Sequence, residues 1–204
     1  MKIICVGRNY EAHAKELNNK VEVSPVIFLK PETALIPNKQ PFFYPSFSQD
    51  VHFETELVVK ICKLGKHIEE KFAHRYYKEI SVGIDFTARD VQSTLKAKGL
   101  PWELAKGFDG SAPLGKFIEL SSLNKPIQDL NFRMKLNGVE KQEGNTSQMI
   151  FSVNQIIAFV STYFTLKIGD LIFTGTPAGV GPVLTGDHLE AWLEDEKLLS
   201  VKVK

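Results

Sequence analysis

The chain has 204 residues, enough for one well-buried domain. Its 25 basic and 24 acidic residues leave a formal net charge of +1, so it carries no electrostatic footprint for nucleic acid or an anionic membrane, and its longest apolar runs are far too short to span a bilayer. Cys5 and Cys62 form no CxxC motif and Met1 leads almost directly into a strand-like segment, leaving no room for a signal peptide; a reduced, cytoplasmic protein is the expectation.

In chain order, "KIICV" reads as a first strand, and Asn9 is placed to cap a short helix over "YEAHAKEL". "PVIFLK" and "HFETELVVKIC" read as strands from their β-branched content and alternation. Ile68, Phe72, Tyr76 and Ile80 recur at helical spacing and predict a helix over about residues 68–78. "ISVGI" is a buried-strand candidate ending at Asp85, and Thr87 with Asp90 resembles a capping box opening a helix that Gly99 and Pro101 close. "NFRMKLNGVEKQEG" predicts a hairpin turning at Asn137-Gly138, and Ser152 with Gln155 opens a helix carrying Ile156, Ile157, Phe159, Val160 and Phe164. "DLIFTGTPAGVGPV" and two terminal strands, "DHLEAWLE" and "KLLSVKVK", follow. No repeat or linker divides the chain, so one domain over 1–204 is expected. Strands outnumber helices without alternating with them, which favours an α+β fold with much antiparallel pairing.

Several residue groups can carry chemistry. Side chains two apart on a strand share a face, so Glu54 and Glu56 point the same way, opposite Phe53, Thr55, Leu57 and Val59. Like charges so placed disfavour joint ionisation, and a divalent cation converts that repulsion into shared attraction. An all-oxygen set suits Mg²⁺, Mn²⁺ or Ca²⁺, with Asp85, between a strand and a helix start, as the candidate third ligand. A solvent-facing Glu pair on an edge strand is the plainer alternative. His13 and Glu16 share a helix face and can form a general-base pair or simply a surface ion pair. Lys106 can be a buried cation for an anionic substrate or a solvated lysine. "GTPAGVGP" has the small residues that let backbone N–H groups approach an anion, but lacks the Gly-Lys-Ser/Thr ending of a P-loop.

The order of "GRNYEAHAKE", "PVIFLKP", "HFETEL", "GIDFTARDVQ", "GLPWELAKGFDGSAP", "NGVEKQEGNTSQMIFS" and "GDLIFTGTPAGVGPV" resembles the successive signatures of the fumarylacetoacetate hydrolase family, over almost the whole chain. The likeness is greatest to its short acylpyruvase and oxaloacetate decarboxylase branch. The resemblance implies a mixed β-sandwich roll with a few short helices, usually a homodimer with a cleft in each subunit. It also implies that Glu54, Glu56 and Asp85 bind Mg²⁺ or Mn²⁺, that His13 and Glu16 are a catalytic dyad on a short mobile helix, and that Lys106 is the active-site lysine. Arg8, Gln92 and Thr176 fall at positions associated with substrate contact. Lys116 in "APLGK" departs from the family pattern near the site and leaves substrate preference open.

The activity so implied is metal-dependent cleavage of a C–C bond in a small 2-oxo acid, by acylpyruvate hydrolysis or oxaloacetate decarboxylation, through a metal-stabilised enolate. An isomerase or decarboxylase of unsaturated dicarboxylates from aromatic breakdown is the nearest alternative. A non-catalytic metal-binding protein is a second, which would need none of His13, Glu16 and Lys106.

Overall fold

A computed structural model describes residues 1–16 and 23–204. Along the chain run β1 (Ile3–Gly7), α1 (Glu11–Glu16), β2 (Val26–Lys30), β3 (Leu35–Pro37), β4 (Val51–Phe53), β5 (Thr55–Ile61), β6 (Tyr77–Ile84), β7 (Thr87–Ala88), α2 (Arg89–Ala97), α3 (Glu103–Lys106), β8 (Ala112–Leu114) and β9 (Ile118–Glu119). Then follow β10 (Asn131–Leu136), β11 (Val139–Asn145), α4 (Val153–Tyr163), β12 (Leu171–Phe173), β13 (Gly181–Pro182), β14 (His188–Leu193) and β15 (Glu196–Lys202). The fold is sheet-dominated α+β, as expected.

The large sheet has the order β2-β1-β12-β5-β6-β8-β3, with β9 added on β6. It is mixed: β1 runs parallel to β12, and β3 to β8, while the other pairs are antiparallel. A second sheet, β11-β10-β14-β15, lies against β5, β6 and β8, and a small sheet, β13-β4-β7, sits beside them. Strand β14 shows why the second sheet packs as it does. In "HLEAWL" Leu189, Ala191 and Leu193 are buried while His188, Glu190 and Trp192 face outward, the period-2 pattern of a half-covered strand. These residues join Leu57, Val59, Ile80, Val82 and Ile84 in the main core. A smaller cluster, with Ile3, Cys5, Phe28, Val58 and Phe173, covers the other face of the large sheet.

The hairpin turns where predicted, with Asn137 at φ 52° and Gly138 at φ 80°. Helix α4 opens with the expected reciprocal cap: Gln155 N donates to Ser152 Oγ and Ser152 N donates to Gln155 Oε1. Helix α2 ends as predicted before Gly99 at φ 64°, with Leu100 N donating to Leu95 O.

Four local expectations are corrected. Residues 70–75 form a short 3₁₀ helix rather than an α-helix over 68–78, because Tyr77 is drawn into β6 opposite Ile61. Thr87 does not cap α2. It pairs with His52 in β7, and Asp90 instead accepts from Ser48 Oγ and Gln49 N. Asn9 is not spent on α1: its side chain accepts from Phe151 N and donates to Phe151 O and Thr174 O, tying three segments together. The last residue of the expected first helix, Leu17, lies outside the described residues. Finally, "HFETELVVKIC" is broken at Glu54, with β4 in the small sheet and β5 in the large one.

Candidate metal centre and active site

That break leaves the three acids together. β5 pairs antiparallel with β6 in a register that sets Glu56 opposite Gly83, and Asp85 N donates to Glu54 O one step further on. Residues directly opposite in an antiparallel pair share a face, so Glu54, Glu56 and Asp85 project to the same side. One carboxylate oxygen from each lies within 4.8 Å of the others, and the residues are 6%, 2% and 1% exposed. Buried carboxylates are held only when paired or coordinating a cation. Lys106 Nζ lies 2.8 Å from Glu54 Oε2 and 2.6 Å from Asp85 Oδ2, and Arg89 Nη2 lies 2.7 Å from Glu54 Oε1, which also accepts from Thr87 Oγ1. Lys30 Nζ is 2.7 Å from Asp85 Oδ1 but lacks the alignment of a hydrogen bond, leaving that oxygen without a directed donor.

Like-charge repulsion in the "ETE" pair is therefore resolved asymmetrically. Burial raises the Glu54 pKa, but Lys106 and Arg89 outweigh it and hold the carboxyl well below its ordinary range. Burial together with the Asp85 charge pushes Glu56 well above its ordinary value, opposed by the hydrogen bond from Gly175 N. Among the described residues no ion pair is formed by Glu56. Burial also works against charged Lys106, yet Asp85 and Glu54 overcome it and raise its pKa. A divalent cation fits this set: three hard oxygen donors converge, one of them without a cation and another with an undirected oxygen.

His13 is 5% exposed and borders the same cleft as Glu54 and Lys106. Its Nδ1 lies 3.1 Å from Glu16 Oε2, and Glu16 Oε1 accepts from Gly179 N, so the other ring nitrogen remains for chemistry. The "GTPAGVGP" loop thus does present backbone N–H groups to anions, but these anions are the protein's own carboxylates, Glu56 at Gly175 and Glu16 at Gly179. Gly175 has φ 101°, and a Cβ there would come within 2.6 Å of Asn9 Cβ. Arg8, itself at φ 59°, also borders the cleft, with its guanidinium 5.8 Å from the Trp102 ring centre. Gln92 does too, its Oε1 accepting from Arg89 Nη1.

Two further residues of the sequence reading take the following places. The Thr176 hydroxyl donates to Thr55 O and accepts from Gln142 Nε2, bracing β5 between Glu54 and Glu56. Lys116 faces a different surface groove beside Ile36, with its ammonium 3.5 Å from Glu196. Sequence reasoning passed over Lys30, Arg89 and Lys96. Lys30 ends an apolar strand and is fully buried, its ammonium donating to the carbonyl oxygens of Ser111, Phe86 and Lys106 and to Ser111 Oγ. The signal was a lysine in an otherwise apolar "VIFLK", which identifies a burial partner only once the strand is placed.

A buried carboxylate triad fit for a divalent cation, one member of which borders a cleft with a histidine and a lysine, marks an enzyme of the metal-dependent type. The chain belongs to the fumarylacetoacetate hydrolase family: the family model described as "Fumarylacetoacetate (FAA) hydrolase C-terminal" matches residues 2–204. It is 45% identical over 202 residues to the mitochondrial oxaloacetate tautomerase of Mus musculus, covering 99% of this chain and 91% of that one. It is 44% identical over 190 residues to the mitochondrial oxaloacetate decarboxylase of Dictyostelium discoideum, covering 93% and 87%. Its fold matches the crystal structure of fumarylpyruvate hydrolase from Pseudomonas aeruginosa in complex with Mn²⁺ and pyruvate, with a TM-score of 0.94 and 36% identity over 100% of this chain and 89% of that one. Among the described residues no helix is long and apolar enough to cross a membrane.

Proposed function

We propose that this enzyme acts on small 2-oxo acids, breaking a C–C bond by hydrolysis of acylpyruvates or decarboxylation of oxaloacetate. The observation that carries the reading is the convergence of the Glu54, Glu56 and Asp85 carboxylates within 4.8 Å, with Glu54 bordering a cleft that His13 also lines. Held there, Mg²⁺ or Mn²⁺ would supply positive charge for the keto oxygen of the substrate as it gains electron density. Lys106, fixed between Glu54 and Asp85, adds a second positive charge beside the same atom. Glu16 orients the His13 ring, whose remaining nitrogen takes a proton from water during hydrolysis. Arg8 and Gln92 position the substrate from the cleft wall. Thr176 acts less directly, by holding Thr55 between Glu54 and Glu56.

The names of relatives favour a second reaction outside the sequence expectation. Keto–enol interconversion of oxaloacetate needs the same electron sink and a proton moved at C3 without cleavage, a step we assign to His13. We further propose that the chain acts as one domain over 1–204, as a homodimer, in a reducing compartment such as the cytoplasm. Cys5 and Cys62 are both free thiols, consistent with that compartment. Incubation with oxaloacetate and with acetylpyruvate, each with EDTA, Mg²⁺ or Mn²⁺, tests the activity. Metal-dependent conversion of at least one is expected, and none with either metal would end the proposal.

A further inference from the structure

The cleft has two unlike walls. Helix α2 gives it a polar one through Arg89 and Gln92. Among the described residues the rings of Phe28 and Trp102 are the only apolar side chains in the lining. Their centres are 6.1 Å apart, and a Cβ at Gly7 would lie 3.7 Å from Trp102 Cζ3 and 3.9 Å from Phe28 Cε1. The two rings and the end of β1 therefore form one continuous surface.

That surface has an inner and an outer end. Phe28 is buried, with Lys106 Nζ 5.1 Å from its ring centre, so it adjoins the ammonium that meets Glu54 and Asp85. Trp102 is half-buried and reaches solvent. Its carbonyl accepts from Ala105 N and Lys106 N, which fixes the indole to the same helical turn as Lys106. The cleft encloses about 40 Å³, room for only a few water-sized groups. In an acylpyruvate the acyl tail is joined to the carbonyl that water attacks, and the bond that breaks lies on the other side of that carbonyl. The tail stays on the acid released and gains from apolar surface. Oxaloacetate has no such tail.

We infer that Trp102, with Phe28, forms the subsite for the acyl tail of acylpyruvates, and that the indole limits its length, so that short acyl groups are accepted and long ones refused. The inference rests on the proposed function and adds a specificity residue to it. Lys106 holds the keto end and Trp102 stands on the same turn, so the span between them acts as a ruler. A methylene that finds apolar surface strengthens binding about fourfold, whereas one that meets a fixed ring is opposed by overpacking.

The test compares wild type, Trp102→Ala and Trp102→Phe as Mn²⁺-loaded full chains on acetylpyruvate, hexanoylpyruvate and oxaloacetate, the last as a reference without an acyl tail. Calorimetric titration with 2-oxobutanoate and 2-oxooctanoate gives a readout independent of turnover, because both lack the carbonyl that water attacks. Trp102→Ala should raise kcat/KM for hexanoylpyruvate relative to acetylpyruvate about tenfold, the scale of two methylenes newly accommodated. The Kd of 2-oxooctanoate should fall by a similar factor against that of 2-oxobutanoate. Trp102→Phe keeps a ring beside Phe28 and removes less bulk, so it should shift both ratios the same way by a smaller factor, even if Trp102→Ala fails to fold. Unchanged ratios in Trp102→Phe, or equal losses on all three substrates, would overturn the subsite while leaving the proposed function standing. Wild type that converts none of the three yet binds 2-oxobutanoate more tightly than 2-oxooctanoate, with Trp102→Phe narrowing that difference, would end the proposed function and keep the subsite.

Discussion

At the residue scale, the carboxylates of "ETE" look alike in sequence and behave oppositely in the fold. Glu54 is satisfied by Lys106, Arg89 and Thr87, whereas Glu56 receives one backbone N–H. Glu56→Gln should therefore leave the metal-free protein as stable as wild type or slightly more so, while abolishing Mn²⁺ binding. Glu54→Gln should destabilise the metal-free protein by about 3 kcal/mol or more, because it strands buried cations. Urea denaturation in EDTA distinguishes them. The folded pKa of Glu56 lies above its unfolded value, so folded protein retains a proton that the unfolded chain has lost. Stability of the metal-free protein should thus fall as pH rises through that window, and Mn²⁺ affinity should rise, because the ion must displace the proton. Melting of wild type and Glu56→Gln in EDTA at about pH 5.5 and about pH 7.5 checks the first effect, and Mn²⁺ titration of wild type checks the second. For His13, general-base catalysis is worth roughly 10²- to 10⁴-fold, and water attacks in hydrolysis but not in the bond-breaking step of decarboxylation. His13→Ala should cost acylpyruvate hydrolysis that factor and decarboxylation far less. Equal losses in steady-state rates would show that the histidine serves both reactions.

At the element scale, the two side chains read as helix caps do different work. Ser152 closes a local box on α4, and Ser152→Ala should cost about 1 kcal/mol, lowering Tm by about 2–4 °C with activity intact. Asn9 joins the start of α1 to Phe151 and Thr174, both distant in sequence. Asn9→Ala strands buried backbone groups and should cost about 3 kcal/mol. It should also lower activity, because α1 carries His13 and Glu16. Thermal melts and turnover of the two variants separate a local cap from a long-range tie. The difference was not legible in sequence, where Asn before a helix and Ser before a helix carry the same signal.

At the scale of the whole molecule, the proposed metal and the proposed dimer contacts would set the observable stability. A ligand at about 100 times its Kd stabilises the folded state by about 2.7 kcal/mol. Excess Mn²⁺ over EDTA should therefore raise Tm by about 5–10 °C in wild type and not in Glu56→Gln. The proposed dimer predicts light scattering at twice the chain mass at micromolar concentration, and a monomer mass would refute it.

Read by itself, the sequence determined the strand-rich α+β class, the Asn137-Gly138 turn, the Ser152 cap and the placing of Glu54 with Glu56, and of His13 with Glu16, on shared faces. These depend on period, turn chemistry and residue type, which act over a few positions. The tertiary structure decided what those signals could not carry. The β5–β6 register brought Asp85 beside the glutamates, and burial gave Lys30 and Arg89 their carboxylates. Sheet pairing took Thr87 away from its helix, and the fold set the Thr176 hydroxyl against Thr55 O. In each case the deciding partner lies far along the chain. A local pattern shows which groups can interact, but only the packed fold, where water no longer competes, selects which of them do.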